Sequence, residues 1–151
     1  MNDIATARPT PAFIGASWVA LLLGSVTFVT GLANASMGLA EKGFYLILLM
    51  YGLYSAVSLQ KAVRDRAEGI AVSAIYFGIS WVSVAAVFAL LGAGLWNADW
   101  EPSEKGFYAM AFALSLFAAV AVQKNVRDLA AAEPEAGDRD KTHWAEAIGR
   151  R

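Results

Sequence analysis

The charged residues of this chain that could do chemistry cluster in two short motifs, and each motif occurs twice. In the first motif, residues 41–45 and residues 104–108 both read Glu-Lys-Gly-Phe-Tyr. A carboxylate beside an ammonium group could pair with the opposite copy or bind a partner. The simpler interpretation is an anchor, because lysine and aromatic residues favour the surface of a membrane. Anchoring explains each residue separately but does not require the same five residues twice. The candidate interface residues are Glu41, Lys42, Glu104 and Lys105.

The second motif combines an amide, two basic groups and a carboxylate at helical spacing. Residues 60–65 read Gln-Lys-Ala-Val-Arg-Asp, and residues 123–128 read Gln-Lys-Asn-Val-Arg-Asp. On a helix, the lysine shares one face with the aspartate four residues later. Two such clusters side by side could hold an anionic headgroup or a partner segment, whereas the simpler interpretation is a solvated helix end. The candidate headgroup residues are Gln60, Lys61, Arg64, Asp65, Gln123, Lys124, Arg127 and Asp128.

The sequence lacks the residues that several other kinds of chemistry need. It has no cysteine and one histidine, His143, which leaves too few ligands for a transition-metal site. It contains no evident nucleophile–base pair or glycine-rich phosphate loop, and its basic residues do not form a stripe that would bind nucleic acid. We therefore predict no catalytic site, no cofactor, no metal and no nucleic-acid partner.

The duplicated motifs belong to a longer internal repeat. Residues 12–65 align with residues 75–128 at a constant offset of 63 positions without a gap. By direct count, 21 of the 54 aligned positions are identical. Such self-similarity indicates one supersecondary unit that is built twice.

The composition and the apolar runs indicate a membrane protein. Hydrophobic residues make up 58% of the 151-residue chain and charged residues 17%, whereas a soluble domain carries more charge. An apolar helix of about 20 residues spans roughly 30 Å, the thickness of the hydrocarbon core. The uncharged runs are residues 12–32, 43–59, 70–95 and 106–122. They predict an all-α membrane protein with four transmembrane helices, arranged as two tandem parallel two-helix hairpin repeats.

The basic residues predict the orientation in the membrane. Of the twelve lysines and arginines, only Lys42 and Lys105 lie in the connectors after the first and third runs. Because basic residues concentrate on the cytoplasmic side, both termini should be cytoplasmic and both hairpin tips should face outward. The predicted segments are a cytoplasmic arm (1–11), the first repeat (12–65), a cytoplasmic linker with the start of the third helix (66–74), the second repeat (75–128) and a disordered cytoplasmic tail (129–151).

Small residues and two tryptophans are the candidates for packing between helices. Trp18 and Trp81 occupy equivalent positions in the two copies, and we expect them to pack near the bundle axis. The alternative is a place in the aromatic belt at the membrane surface. Small residues spaced by four would let another helix approach closely, although such residues are also common in membrane helices generally. The stripe consists of Ala12, Ala16, Ala20 and Gly24.

The combined pattern resembles a known family. A two-helix membrane unit with Ser-Trp in its first helix, Glu-Lys-Gly-Phe-Tyr opening the second and Gln-Lys-x-x-Arg-Asp closing it resembles the YiaA/YiaB two-helix-repeat proteins of bacterial inner membranes. The resemblance covers about residues 12–128, and the two copies resemble a two-unit, YiaA-like member. It implies an inner-membrane protein and implies no particular activity.

These observations predict a non-enzymatic, multi-pass protein of the bacterial inner membrane that acts as an accessory, interaction or envelope-homeostasis module. Its candidate partners are the lipid bilayer, an anionic lipid, another membrane protein and further copies of itself. One alternative is a small oligomeric transporter or channel, although the four runs contain none of the charged residues that ion-coupled transporters keep at mid-membrane. That alternative needs a water-filled polar axis through Ser17, Thr27, Thr30, Asn34 and their counterparts. The other alternative is an anionic-lipid-binding membrane protein.

Overall fold

Four α-helices make up the fold. The computed structural model describes the backbone of residues 9–149 and the side chains of residues 9–131. The helices are α1 (Pro11–Asn34), α2 (Leu39–Ala67), α3 (Ala74–Asn97) and α4 (Pro102–Gly149). Each contains a stretch that is long and apolar enough to cross a membrane, so the predicted all-α architecture is confirmed. Most of the predicted N-terminal arm, residues 1–8, and residues 150 and 151 lie outside the described residues.

The first helix of each repeat begins with the same local contact. The Thr10 hydroxyl accepts a hydrogen bond from the Phe13 backbone N–H at 3.3 Å. The Ser73 hydroxyl, 63 residues later, accepts one from the Tyr76 N–H at 3.2 Å. A hydroxyl in this position satisfies one of the free N–H groups in the first turn of a helix. The repeat therefore extends to the N-caps of α1 and α3.

The turn between α2 and α3 explains why α3 starts later than the apolar run from residue 70 predicted. Gly69 has a φ of +76°, a conformation that glycine adopts most easily. The Ile70 N–H donates to the Asp65 carbonyl at 2.8 Å, and the Gly69 N–H donates to the Arg66 carbonyl at 3.2 Å. These are the two hydrogen bonds of a Schellman motif, which ends α2 before α3 begins at Ala74.

Helix α4 continues to Gly149, whereas the sequence analysis expected a disordered tail from residue 129. The alanines at positions 130–132 and the long charged side chains after them favour a helix, in spite of Pro134 and Gly137. Side chains from residue 132 onward, including that of His143, lie outside the described residues. The absence of a metal ligand in the tail therefore stays a prediction.

The helices pack across the repeats more than within them. Helix α1 packs mainly against α4, α3 packs against α2, and α2 contacts α4 between these two pairs. In contrast, α1 and α2 of the first repeat share only a small contact. In the repeat, α1 is equivalent to α3 and α4 is equivalent to α2, so the α1–α4 pair is equivalent to the α3–α2 pair. An approximate two-fold axis therefore relates the two copies. Each outer helix is therefore held mainly by the opposite repeat.

One glycine allows close approach at each of the two helix crossings. A Cβ atom built on Gly24 of α1 would lie 2.9 Å from the backbone nitrogen of Ser115 in α4. At the equivalent crossing, a Cβ atom built on Gly52 of α2 would lie 3.2 Å from a methyl group of Val87 in α3. In the repeat, Gly24 is equivalent to Val87 and Gly52 is equivalent to Ser115. The glycine therefore lies on the outer helix (α1) at one crossing and on the inner helix (α2) at the other. Small residues at such contacts let membrane helices pack closely.

The predicted packing residues of α1 and α3 are mostly on the outside, which corrects the sequence analysis. Of the small-residue stripe, only Gly24 is buried, while Ala20 is half-buried and Ala12 and Ala16 are exposed. Trp18 and Trp81 are 46% and 52% exposed. They cannot meet at the axis because α1 and α3 lie on the outer sides of the central α2–α4 pair. The buried face of α1 consists of Ser17, Gly24, Phe28 and Leu32.

The centre of the bundle is mainly apolar, and its outer surface is apolar as well. Phe28, Val87 and Phe112 are 0% exposed at the centre. Ile47 and Phe117 are 68% and 73% exposed, which suits a lipid environment better than water.

The polar axis that a transporter would need is not formed within the described part of one chain. The Ser17 hydroxyl donates to the Phe13 carbonyl of its own helix, and the Asn34 amide donates to the Thr30 carbonyl. The completely buried side chain of Phe28 lies between these two ends of α1.

Candidate functional site

The two Glu-Lys-Gly-Phe-Tyr motifs lie in the first turns of α2 and α4. The Glu41 carboxylate accepts a hydrogen bond from the Gly38 N–H at 2.9 Å, and the Glu104 carboxylate accepts one from the Glu101 N–H at 3.1 Å. A carboxylate in this position satisfies a free N–H group and faces the positive end of the helix dipole. The two glutamates therefore act as matching local caps.

The ion pairs that these glutamates could have formed with the lysines of the opposite copy are absent among the described residues. The Lys42 ammonium group instead donates to the Ala33 carbonyl at 2.8 Å. Ala33 lies in the last turn of α1, where carbonyl groups have no partner within the helix. Ion pairs of the described side chains occur only at the opposite end of the bundle.

The tyrosine of each motif packs against the outer helix of the other repeat. Tyr45 and Tyr108 are almost completely buried. A Cβ atom built on Gly94 of α3 would lie 3.0 Å from the Tyr45 hydroxyl, and one built on Gly31 of α1 would lie 3.2 Å from the Tyr108 hydroxyl. Gly31 and Gly94 are equivalent positions. The repeat thus produces the same ring-on-glycine contact twice, each time between the two copies.

A single tryptophan joins the two motifs. The ring centre of Trp100 lies 5.3 Å from that of Tyr45 and 4.7 Å from that of Tyr108. The equivalent residue in the first repeat is Met37, so one indole serves both copies. Aromatic pairs at such distances contribute about 0.5–1.5 kcal/mol beyond the area that they bury. We call Tyr45, Trp100 and Tyr108 the aromatic cluster.

Two cavities of similar size open beside the aromatic cluster, and we call them the first and second tip cavities. Their volumes are about 540 and 570 Å³, within the range of ligand sites. Ser36, Asp99 and Trp100 line both cavities. The first cavity is also lined by Met37, Ala40, Glu41, Phe44, Tyr45, Gly94, Asn97 and Ala98. The second is also lined by Gly31, Asn34, Ala35, Ser103, Glu104, Phe107 and Tyr108.

Among the side chains that the structure describes, the charged ones that line the tip cavities are all acidic. Glu41, Asp99 and Glu104 contribute carboxylates, whereas Lys42 and Lys105 line neither cavity. Helices α1 and α3 end beside the cavities and α2 and α4 begin there, so negative and positive ends of helix dipoles meet at this face. The charge of the lining is therefore decided by its side chains. Acidic groups and aromatic walls together favour a positively charged ligand.

At the other end of the bundle, the two Gln-Lys-x-x-Arg-Asp motifs form the predicted pairs along their helices. Lys61 lies 2.5 Å from Asp65, and Lys124 lies 2.9 Å from Asp128. Both lysine side chains are 57% exposed, so solvent weakens these interactions. Exposed pairs of this kind typically contribute less than about 1 kcal/mol.

The two motifs are also linked to each other. Glu68, just beyond the first motif, forms an ion pair with Arg127 of the second motif. The same carboxylate lies 3.8 Å from Arg64 of the first motif. The structure therefore brings the two clusters together, although the linking residue lies outside the repeated sequence.

An apolar groove of about 430 Å³ ends at Arg64. The guanidinium group of Arg64 is paired on one side, because its Nη2 donates to Asp65 at 3.3 Å and its Nε lies 3.8 Å from Glu68. Its Nη1 atom is buried without a hydrogen-bond partner among the described residues, as is the side-chain oxygen of Gln60. Buried polar groups normally have partners, so a bound group at this end of the groove would satisfy the Nη1 atom. The groove is lined by Ala56, Leu59, Gln60, Val63, Arg64, Trp81, Val84 and Val120.

The side chains described between residues 9 and 131 include no group of three or more histidine, cysteine, aspartate or glutamate residues that could hold a metal ion. The tip cavities therefore offer carboxylates and aromatic rings without a built metal cage. This limits the ligand chemistry that these residues can support.

None of the candidate residues predicted from the sequence lines both tip cavities, and the glycines beside the two tyrosines were not among the candidates. Gly31 and Gly94 are identical positions in the repeat, so a signal for them was present. Asp99 and Trp100 replace Ser36 and Met37 of the first copy, and no repeated pattern marks them. Only the fold shows that residues of both connectors, Ser36 together with Asp99 and Trp100, line both cavities.

Comparison with known proteins agrees with the repeat and with the family resemblance. A family model described as "yiaA/B two helix domain" matches the chain twice, over residues 13–65 and 76–128. The chain is 55% identical over 119 residues to "Inner membrane protein YiaA" of Escherichia coli (strain K12). That alignment covers 79% of this chain and 82% of the relative. No solved structure matches the chain significantly.

Proposed function

The chain belongs to the yiaA/B two helix domain family, and we propose that it is a non-enzymatic accessory protein of the bacterial inner membrane. In this proposal it recognises a partner at its tip face, the surface formed by the two connectors and the two tip cavities. The observation that carries the proposal is the convergence of both motif copies on matched cavities that share Trp100. Anchors for two separate helices would not need to meet in this way.

The packing beneath the tip face supports a recognition role. The Phe28 ring lies at the buried centre and contacts the Tyr108 ring edge-on at a centre-to-centre distance of 5.5 Å. Tyr108 in turn stacks on Trp100. Walls that are held by a packed core keep a binding site in one geometry, which lowers the cost of ordering it on binding.

The distribution of basic residues supports an orientation with the tip face outside the cytoplasm. Ten of the twelve lysines and arginines lie in segments that belong to the opposite end, which favours cytoplasmic termini. The relative at 55% identity is an inner membrane protein by name, which supports the same membrane for this chain. In this orientation the tip face would meet partners on the periplasmic side.

Photo-crosslinking in native membranes tests recognition at the tip face. A photoreactive amino acid at Ser36, which lines both tip cavities, should give one discrete adduct, and Trp100→Leu should remove it. The matched control is the same photoreactive residue at Ile47, which is exposed on the lipid-facing side of α2. Equal adducts at Ser36 and Ile47, or a Ser36 adduct that survives Trp100→Leu, would contradict the proposal.

A second candidate function is binding of an anionic lipid at the other end of the bundle. It is favoured by the buried Nη1 atom of Arg64, which has no described partner, beside the apolar groove. An acyl chain would fill the groove, and the headgroup phosphate would accept hydrogen bonds from the guanidinium group.

Lipid retention tests this second candidate. Native mass spectrometry after release from nanodiscs should show less bound phosphatidylglycerol in the double variant Lys61→Ala, Lys124→Ala and in Arg64→Ala. The control is Lys42→Ala, Lys105→Ala, which removes the same charge at the tip face. Unchanged retention in both test variants would rule out this function.

A further inference from the structure

We propose that the tip cavities bind an organic cation, with a primary amine or quaternary ammonium group held between carboxylates and aromatic rings. This inference rests on the proposed function, because it names the ligand chemistry of the same face. The proposed function requires only that the tip face binds a partner. The present inference requires in addition that a small cationic group binds there by itself, without a protein partner. The twin geometry further implies two equivalent binding positions in each chain.

The charge of the lining is the first argument. Asp99 lines both cavities, Glu41 lines the first and Glu104 lines the second. Each glutamate uses one carboxylate oxygen to cap its helix, and its second oxygen is not involved in that contact. No lysine or arginine among the described residues 9–131 lines either cavity, and the Lys42 ammonium is bonded to the Ala33 carbonyl. The charged side chains of the described lining would therefore repel an anion and attract a cation.

The aromatic walls are the second argument, and they select an organic cation over an inorganic one. Each cavity is lined by one phenylalanine, one tyrosine and the shared Trp100. A cation within about 6 Å of an aromatic ring centre is attracted to its face, most strongly by tryptophan. Alkylammonium groups are less strongly hydrated than metal ions and also bury their carbon atoms against the rings. The described side chains provide no cluster of three or more metal ligands, which agrees with this choice.

The depth of the two tyrosines is the third argument. Tyr45 and Tyr108 are at least nine-tenths buried, yet each lines a cavity with its hydroxyl beside a glycine of the same lining. The glycines let the tyrosines pack this deeply, because a Cβ at Gly94 or Gly31 would lie only 3.0 or 3.2 Å from the hydroxyl oxygen. A phenol oxygen can accept a hydrogen bond from an ammonium group. The repeat thus provides the same three features twice: a carboxylate, an aromatic wall and a hydroxyl.

Titration of the intact protein with small cations tests the inference. The protein is placed in nanodiscs of phosphatidylglycerol, which carries no amine, and titrated calorimetrically with tetramethylammonium and with ethanolamine. Saturable binding is expected for at least one of them, with glycerol as the neutral comparison. Asp99→Asn keeps the shape of the shared side chain and removes its charge, and it should weaken binding about tenfold. Glu101→Gln is the matched control, because Glu101 is an exposed neighbour that lines neither cavity.

A second titration distinguishes a lipid headgroup from a soluble amine as the natural source of the cation. If the natural ligand is a lipid headgroup, nanodiscs that contain phosphatidylethanolamine should already fill the cavities and suppress binding of free ethanolamine. If the ligand is a soluble amine, phosphatidylethanolamine should not change the binding of ethanolamine.

Either result supports a cation site in the tip cavities. A lack of saturable binding in phosphatidylglycerol nanodiscs, or equal losses of binding in Asp99→Asn and Glu101→Gln, would overturn the inference. If cations do not bind but the Trp100-dependent adduct at Ser36 persists, this inference fails and the proposed function stands. If the adduct is also absent, both fail.

Discussion

The side-chain amide of Asn125 donates a hydrogen bond to the hydroxyl of Ser17 at 3.0 Å, joining α4 of the second repeat to α1 of the first. Both residues are buried. The equivalent positions in the other pair of helices are Ala62 and Ser80, which cannot form this bond. The approximate two-fold symmetry is therefore broken by one polar contact, and α1 and α4 form the more extensive of the two pairs.

We expect Asn125→Ala to lower the free energy of unfolding by about 0.6 kcal/mol and by no more than about 1.7 kcal/mol, the average and the maximum found for hydrogen bonds between membrane helices. The loss should stay modest because the Ser17 hydroxyl keeps its bond to the Phe13 carbonyl. The side-chain oxygen of Asn125 is also buried without a described partner, so its removal relieves a small cost. Unfolding in a mixed-micelle denaturant series measures this change. Val126→Ala, at the exposed neighbouring position, should have little effect, and an equal loss there would argue against a specific bond.

Gly24→Ala should destabilise the bundle by about 1–3 kcal/mol, the usual range for overpacking. The added methyl group would lie 2.9 Å from the Ser115 backbone nitrogen and 3.1 Å from the Ala111 carbonyl oxygen, and backbone atoms cannot move away easily. Gly15→Ala on the same helix is the control, because a Cβ there meets nothing within 4 Å. Thermal unfolding in detergent should separate the two variants. Similar melting temperatures would mean that α1 does not pack on α4 at this crossing.

Gly94→Ala should affect ligand binding at the tip face more than stability. The new methyl group would lie 3.0 Å from the Tyr45 hydroxyl and 3.1 Å from the Phe44 ring, which are the ends of movable side chains. Small rotations of these rings would relieve the clash and reshape the first tip cavity. Parallel unfolding and cation-titration measurements test this, with Gly92→Ala as the control in open space on the same helix. A large loss of stability with intact binding would contradict the expectation.

The proposed orientation predicts which engineered cysteines react from outside the cell membrane. The chain has no cysteine, so single replacements can be read without background. In intact spheroplasts, a membrane-impermeant maleimide should label Ser36→Cys in the first connector. It should label Ala67→Cys, at the end of α2, only after lysis. The reverse pattern would show that the tip face is cytoplasmic.

Local features of the chain were readable from the sequence because they depend on neighbouring residues. The 63-residue repeat, the four apolar runs and the spacing of Lys61 with Asp65 follow from identity, hydropathy and helical periodicity. The family was recognised from the same motifs. The ends of the helices were less accurate, because the Schellman turn at Gly69 and the helical continuation of α4 depend on backbone geometry and propensity that hydropathy does not report.

The partners of each helix became clear only from the three-dimensional arrangement. In a soluble bundle, the buried face of a helix is its apolar face, so periodicity indicates which residues pack. In a membrane helix the lipid-facing side is equally apolar, so Trp18 and Phe28 on α1 look alike in sequence although one is exposed and the other buried. The crossing of Gly24 on Ser115 depends on shape, which hydropathy does not encode. In the sequence, the two Glu-Lys-Gly-Phe-Tyr motifs are the starts of two separate helices. In the fold they meet around Trp100, because each outer helix packs against the inner helix of the other repeat.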